Sequence, residues 1–427
     1  MLLLASRLAL DRHTNTMRDK ITTSATRHEK LLSGRSVWQR SPGVSVPTRS
    51  LRRSLKVDVA IVGAGISGAF MAFALSRRSF SVAVFDGREP VTGSTAASTA
   101  LLQFEIDVPL IKLREKIGHA KAARAWLRSY RATQDLVKLV RSEGIHCGLE
   151  RRNTLYLAGN HLGSRALKHE NKARNRLGLP GQYLTAAILR ETFGIDRTGA
   201  ILSPMSAVAD PRRLAAGLLR KSIEQGARLY SPAKVRDVWA AKKGVVLALD
   251  PNYIEARHCI FCTGYELLDT IPKKGTKITS SWAISTPPAA TYPSWLDDTL
   301  VWEASRPYLY LRSATHGRII VGGEDEDIDL ATYRVRSLAS KSVRLAQKAE
   351  RLIPGLKMEP SLRWTGAFGE SQDGLPTIDA VPGLPNCYAV LGFGGNGTIY
   401  SILASQIVPS FLTGRPDRDA DLFRFPI

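Results

Sequence analysis

Three glycines and one carboxylate carry the clearest chemistry in this 427-residue chain. Gly63, Gly65 and Gly68 follow the apolar run Val57-Asp58-Val59-Ala60-Ile61-Val62, and Asp86 ends a second run, Val82-Ala83-Val84-Phe85. Gly63 permits a tight turn, Gly65 lets backbone approach a pyrophosphate, and Gly68 lets a helix pack closely on its strand. Ile66 and Ser67 open that helix, whose free N–H groups and positive dipole end attract phosphate. Asp86 stands where a carboxylate accepts hydrogen bonds from both hydroxyls of an adenosine ribose. Strand, glycine turn, helix, strand and acid in this order predict a βαβ unit that binds a dinucleotide.

Three later stretches carry small residues at similar junctions. Gly93-Ser94-Thr95-Ala96-Ala97-Ser98-Thr99-Ala100 follows the βαβ unit and offers four hydroxyls. Cys262-Thr263-Gly264 ends the apolar run Cys259-Ile260-Phe261. Gly392-Phe393-Gly394-Gly395-Asn396-Gly397-Thr398 leads from the strand Cys387–Leu391 into a helix carrying Ile399, Leu403 and Ile407 on one face. Alone these would read as a small-residue loop, a strand-ending turn and a close-packed turn. Behind a complete βαβ unit they read as cofactor contacts.

The elements that must position these loops are legible between them. Asp210-Pro211 precedes an amphipathic helix with Leu214, Leu218, Leu219 and Ile223 at helical spacing. Residues 244–249 and 259–262 read as strands, and Pro409 is expected to kink or shorten the last helix. Residues 111–205 open with basic amphipathic helices and include a strand at Asn153–Leu157. Residues 278–365 hold strands at Leu300–Trp302, Tyr308–Leu311 and Arg318–Val321.

The chain carries a formal charge of +22. Residues 1–56 hold 12 Lys+Arg against 3 Asp+Glu, and the rest of the excess is spread without basic runs alternating with aromatics. That distribution describes a basic enzyme surface and excludes a nucleic-acid partner. No apolar stretch approaches the roughly 18 residues of a membrane-spanning helix. Cys147, Cys259, Cys262 and Cys387 form no disulfide framework, and the CxxC pair lacks the second pair a zinc site needs, so no metal is expected. Buried thiols and a reducing, cytoplasmic location fit this usage. Residues 1–55 read as a basic, disordered extension, Arg- and Ser-rich like a transit peptide yet carrying Asp11, Asp19 and Glu29; Met17 offers an alternative start.

Taken together, these motifs resemble the FAD-dependent D-amino acid oxidase superfamily, with its glycine and sarcosine oxidases and γ-glutamylputrescine oxidases, over about residues 56–412. The resemblance implies that Gly63, Gly65, Ile66, Ser67 and Gly68 hold an FAD pyrophosphate, Asp86 the adenosine ribose, and Arg88 the ribose or adenine region. It places Ser94, Thr95, Ser98 and Thr99 on the pyrophosphate and ribityl chain, Val235 at the adenine, and Thr263 and Gly264 beside the nucleotide. Gly392, Phe393, Gly394, Gly395, Asn396, Gly397 and Thr398 would wrap the pyrimidine edge of the flavin, where N–H groups stabilise negative charge. NAD would occupy the same βαβ unit, but the returning C-terminal loop favours FAD. Residues 86–110 lack Cys and His and residues 370–374 lack Cys, so non-covalent FAD is expected.

The implied fold class is α/β, with a discontinuous Rossmann-like FAD-binding domain and a second α+β substrate domain built on an antiparallel-rich sheet. The first comprises residues 56–110, 206–277 and 366–427, the second residues 111–205 and 278–365. Trp302, Tyr308, Tyr310 and Arg312 are the substrate-pocket candidates; Tyr308 and Tyr310 share a strand face by period-two spacing. Amino-acid-oxidising members use an arginine in a Gly-x-Arg-Pro stretch before an Asp-Gly-x-Pro turn. Here Asp373-Gly374-Leu375-Pro376 is present and the arginine is absent, which leaves Arg312 or Arg363 as the anchor for a carboxylate. The acidic strand end Gly322-Gly323-Glu324-Asp325-Glu326 would suit a cation or a solvated turn.

The expected activity is oxidation of the C–N bond of an amine or amino-acid-like substrate. A hydride passes to flavin N5, the imine product hydrolyses, and oxygen or another acceptor takes the electrons. Such chemistry rests on positioning and demands no particular side-chain base, so no catalytic residue is assigned. The alternatives are a hydroxy-acid or polyol dehydrogenase passing electrons to a quinone, and a flavin-binding subunit of a larger redox complex.

Overall fold

Val59, Ala60, Ile61 and Val62 are buried on both faces of their strand, as a strand between parallel neighbours covered by helices must be. The structure, a computed structural model, describes residues 31–272, 276–328 and 330–426. Its eight-stranded sheet runs β17 (Thr377–Ala380), β18 (Cys387–Leu391), β11 (Tyr253–Phe261), β2 (Leu55–Val62), β3 (Val82–Phe85) and β8 (Arg228–Tyr230). A hairpin of β9 (Asp237–Ala241) and β10 (Gly244–Ala248) extends from β11. β2 pairs in parallel with β3, Val62 opposite Phe85, and with β11, Val62 opposite Phe261. The carboxyl ends of β2, β3 and β11 therefore finish together, where ligands of open α/β sheets bind.

Helix α1 (Ile66–Ser76) has no polar face: Gly68 to Phe73 and Leu75 are all buried. It packs on helix α3 (Pro211–Glu224) on one side and α5 (Gly397–Leu412) on the other, with α2 (His119–Ser142) beyond. The Asp210 side chain accepts the N–H groups of Arg212 and Arg213 at the start of α3, with Pro211 in the first turn, a cap worth about 1 kcal/mol. Pro409 lies in the last turn of α5, which continues to Leu412, so it neither ends nor shortens the helix.

The second sheet has ten strands and is mostly antiparallel. In order it runs β1 (Leu32–Gly34), β16 (Leu362–Ser371), β12 (Thr276–Ser285), β15 (Arg318–Glu326), β14 (Leu309–Ala314), β13 (Thr299–Glu303), β5 (Glu150–Leu157), β7 (Gly199–Val208) and β4 (Leu101–Leu102). β6 (Gln182–Thr185) pairs with β7. Helix α4 (Ala331–Leu352) covers one face, where Leu345, Ala349 and Leu352 meet Trp282, Ile284, Ile319 and Val321. The other face turns toward the first sheet. β16 runs to Ser371, six residues past the substrate-domain end expected at 365, because its whole length pairs with β12.

The lead-in departs from expectation. Residues 31–55 are built into the fold: β1 pairs with β16, and Leu31 and Trp38 are buried. The apolar Leu31 and Trp38 give this stretch something to bury, which outweighs its basic composition. Residues 1–30, with Met17, lie outside the described residues.

Candidate cofactor and substrate site

A single cavity of about 1400 Å³ runs between the two sheets and is lined from both. This exceeds the roughly 300–1,000 Å³ of a pocket for one small ligand and leaves room for a dinucleotide and a substrate together.

The three glycines of the turn have different duties. Gly63 has φ +106°, and a Cβ there would stand 2.4 Å from the Cys262 carbonyl oxygen. A Cβ on Gly68 would stand 1.9 Å from the Gly63 carbonyl oxygen, so Gly68 serves packing and does not line the cavity. At Gly65 the nearest atom is the Thr95 Oγ1 at 3.1 Å, and the space beyond is open cleft. Only Gly65 keeps backbone bare for a ligand. Asp86 ends β3 in the cleft, its two oxygens accepting the N–H groups of Ala64 (2.7 Å) and Arg88 (2.8 Å). Each oxygen keeps a second acceptor site for a ribose. Burial raises its pKa above the usual carboxylate value. The Arg88 guanidinium pairs with both oxygens of Glu266 at the cleft wall.

The 93–100 loop is held by its carbonyls. Trp38 Nε1 donates to Ser98 (2.6 Å), Trp364 Nε1 to Ala97 (2.9 Å) and Arg312 Nε to Thr99 (2.7 Å). These ties fix Ser94, Thr95, Ser98 and Thr99 along the cleft. The Ser94 and Thr263 hydroxyls are buried without a protein hydrogen-bond partner. Both residues line the cleft, where an FAD would supply the missing partners. Thr95 Oγ1 accepts the Ile66 N–H (3.0 Å), and Ser67, Val235 and Gly264 complete this end.

Arg312, expected at the substrate, is turned to this loop and does not line the cavity. Its guanidinium is 2% exposed, donates also to the Ala209 and Ser313 carbonyls and lies 5.3 Å from the Trp38 ring. Burial pushes its pKa down to about 9. Arg363 is exposed on β16 and does not line the cavity either. Arg312→Leu should weaken FAD binding roughly tenfold or more, since hydrogen bonds to charged groups contribute about 1.5–3 kcal/mol, with substrate KM unchanged once FAD is saturating. A raised KM at full FAD occupancy would return Arg312 to the substrate.

Phe393, Gly394, Gly395, Asn396, Gly397 and Thr398 line the cleft; Gly392, at φ +70°, only makes the turn out of β18. Asp107, which no motif had marked, stands against this loop. Its Oδ2 accepts the Gly395 N–H at 2.7 Å, and a Cβ on Gly394 or Gly395 would lie 2.5 or 3.0 Å from its oxygens. These two glycines make room for a carboxylate, and the Gly395 N–H is engaged by it. Asp107 is open to the cleft, yet the protein atoms crowded around it, with Glu370 nearby, raise its pKa to about 6. Asn396 Nδ2 donates to the Glu105 carbonyl (2.5 Å), tying the loop to the same segment.

Trp302, Tyr308 and Tyr310 line the other end. The two tyrosine rings are tilted with centroids 5.5 Å apart, and Trp302 stacks on Tyr156 at 3.8 Å. Tyr310 lies over Gly322, where a Cβ would come 2.3 Å from its hydroxyl. Among the described residues no group of His, Cys, Asp or Glu is disposed to hold a metal ion, and no helix is long and apolar enough to cross a membrane.

Comparison with known proteins agrees with this geometry. The profile of the DAO family, FAD dependent oxidoreductase, matches residues 58–408. Glycine oxidase of Geobacillus kaustophilus strain HTA426 is 24% identical over 381 residues, covering 87% of this chain and 97% of the relative. Gamma-glutamylputrescine oxidoreductase of Escherichia coli K12 is 21% identical over 394 residues, 90% of each chain. The crystal structure of glycine oxidase from Geobacillus kaustophilus superimposes with a TM-score of 0.68 at 21% identity, over 85% of this chain and 96% of that one. With glycine turn, Asp86, loop 93–100 and C-terminal loop gathered around one cleft, the chain belongs to the FAD-dependent oxidoreductase family.

Proposed function

We propose that the chain oxidises the C–N bond of an amine or amino-acid-like substrate, giving an imine that hydrolyses. The observation that carries this is the composition of the cleft. One end has the bare Gly65 backbone, Asp86 and the orphaned Ser94 and Thr263 hydroxyls; the other has Trp302, Tyr308, Tyr310 and the Asp107 carboxylate. Gly65, Asp86, Ser94, Thr263, Gly264 and the 393–398 loop would hold FAD. When bound, FAD supplies the acceptor for two electrons and a proton.

The side chains supply position and proton control. Trp302, Tyr308 and Tyr310 exclude water and fix the substrate's orientation, the main contribution such a reaction needs. An amine arrives as an ammonium ion and must lose a proton before its C–H can be oxidised. Asp107, with its pKa near 6, is ionised at neutral pH and faces the cleft, so it attracts the ammonium and takes that proton.

FAD is held without a covalent bond in this reading. No histidine lines the cleft, and its one cysteine, Cys262, sits beside Gly63 and Gly68 at the pyrophosphate end, with its pKa pushed well above the usual thiol value by burial. Acid precipitation should leave the yellow colour in the supernatant; a yellow pellet would contradict it. Four buried free thiols suit a reducing, cytoplasmic setting. The activity is tested by mixing the FAD-loaded protein anaerobically with amines, amino acids, hydroxy acids and polyols. Bleaching by amines or amino acids is expected; bleaching only by hydroxy acids or polyols would overturn the proposal. Admitting oxygen, or a quinone in its absence, then identifies the acceptor.

A further inference from the structure

Residues 31–45, read from sequence as part of a disordered extension, are tied to both sides of the cleft. At one end β1 adds an edge strand to the second sheet, Leu32 opposite Gly366, Ser33 opposite Thr365 and Gly34 opposite Trp364. The Arg35 N–H continues this pairing to the Arg363 carbonyl (2.9 Å). At the other end the Ser41 hydroxyl donates to Asp210, the cap of α3, and Arg220 Nη1 donates to the Gly43 and Ser45 carbonyls, both at 2.9 Å. Arg212, also on α3, donates to the Trp38 carbonyl (3.0 Å). The segment therefore crosses from the second sheet to a helix on the nucleotide side.

Between these anchors it lies against the 93–100 loop. Trp38 Nε1 donates to the Ser98 carbonyl, and Leu32, Val37 and Trp38 share an apolar cluster with Ala97, Ala100 and Trp364. Gly366 is bare where segment, sheet and loop meet: a Cβ there would stand 3.1 Å from the Ala97 Cβ and 3.6 Å from the Leu31 carbonyl oxygen. Leu31 is buried and lines the cleft. Its Cδ1 lies 3.7 Å, and Arg88 Nη2 3.9 Å, from the point a Cβ on Gly93 would occupy. That puts Leu31 at the nucleotide end of the cavity, which Asp86 and Ser94 also line. Ordering such a stretch costs conformational entropy, and the contacts that offset it are made to the cofactor loop as well as to the two flanking elements.

We infer that residues 31–41 are a strap that retains FAD. Leu31 closes over the nucleotide beside Gly93, and Trp38 clamps the loop that carries Ser94, Thr95, Ser98 and Thr99. The inference rests on the FAD assignment and is independent of which substrate is oxidised. Its consequence is kinetic: release of FAD requires β1 to part from β16 and Leu31 to withdraw, so bound FAD exchanges slowly.

The test follows FAD association and release in the full chain. Gly34→Val unhooks β1, because Gly34 has φ +86° and a Cβ there would stand 2.3 Å from the Arg363 carbonyl oxygen. Leu31→Ala shortens the contact with the nucleotide, leaves the pairing of β1 intact, and serves if the first variant does not fold. Release, read as the return of free-flavin fluorescence on dilution, should quicken about tenfold in Leu31→Ala, the scale of roughly two methylene groups withdrawn from contact, and at least as much in Gly34→Val. Association should not slow, since Gly65, Asp86 and Thr263 are untouched. In the parent, FAD should slow hydrogen exchange at the amides of residues 32–38, a change that a purely structural segment would not show. Release unchanged in both variants, exchange at 32–38 indifferent to FAD, or faster release matched by equally slower association would each overturn the inference. A parent that takes up no FAD refutes the cofactor assignment itself, and this is seen before any variant is compared.

Discussion

Gly65→Val is expected to keep its fold and lose FAD, whereas Gly68→Val is expected to lose the fold itself. At position 65 a new Cβ meets only the Thr95 hydroxyl, at 3.1 Å, and the far end of a side chain can yield by the little required. The valine methyls would then fill the space that a pyrophosphate needs to reach backbone. FAD affinity should fall at least about 100-fold, close to 3 kcal/mol, with the melting curve of the FAD-free protein little changed. At position 68 the Cβ would come 1.9 Å from the Gly63 carbonyl oxygen, and Gly63 is itself locked at φ +106° against the Cys262 carbonyl. Backbone meets backbone, neither side can move, and overpacking here should exceed the usual 1–3 kcal/mol. Circular dichroism melts and FAD retention measured on both variants separate the two duties. Unchanged FAD affinity in a folded Gly65→Val protein would show that the cofactor lies elsewhere.

The βαβ unit was legible because its parts are local: Gly63, Gly65, Gly68 and Asp86 lie within one strand–helix–strand passage, each needed by type as well as position. The supports of the 93–100 loop were not. Trp38, Arg312 and Trp364 reach its carbonyls from 60, 213 and 267 residues away, and backbone carbonyls leave no mark on a sequence. Arg312 sits two residues beyond Tyr310, and beside aromatics an arginine reads as an anion binder. Its actual partners could only be found in three dimensions.

Asp107 left a faint signal, one of two acids alternating with apolar residues in Phe104-Glu105-Ile106-Asp107-Val108. Its meaning depends on Gly394 and Gly395, nearly 290 positions later. Those glycines were recognised as a close-approach loop; what approaches them most closely includes a carboxylate of the chain itself. The acidic strand end at 324–326 shows a further limit. Period-two alternation alone does not say which face each acid takes, because the bulge at Gly323-Glu324 resets the alternation.

That bulge leads to the second large expected effect. In the protein without FAD or substrate, Asp325→Asn should raise thermal stability at pH 8 and by less than half as much at pH 5. Burial lifts the Asp325 pKa from 3.8 to about 7, with Glu370 and Asp107 adding to it. Between those values the folded chain holds a proton that the unfolded chain gives up. Stability from this site is therefore full below about pH 4 and declines as pH rises to about 7, the reverse of a salt-bridged aspartate. Asparagine cannot ionise and escapes the decline. A three-unit shift corresponds to at most about 4 kcal/mol, and water entering the open cleft should reduce the gain to about half. A rise of a few degrees at pH 8 is expected, read as the difference in Tm between variant and parent at each pH. If Asp325→Asn destabilises the protein equally at both pH values, Ser281 and Tyr308 satisfy that carboxylate and its ionisation carries no cost.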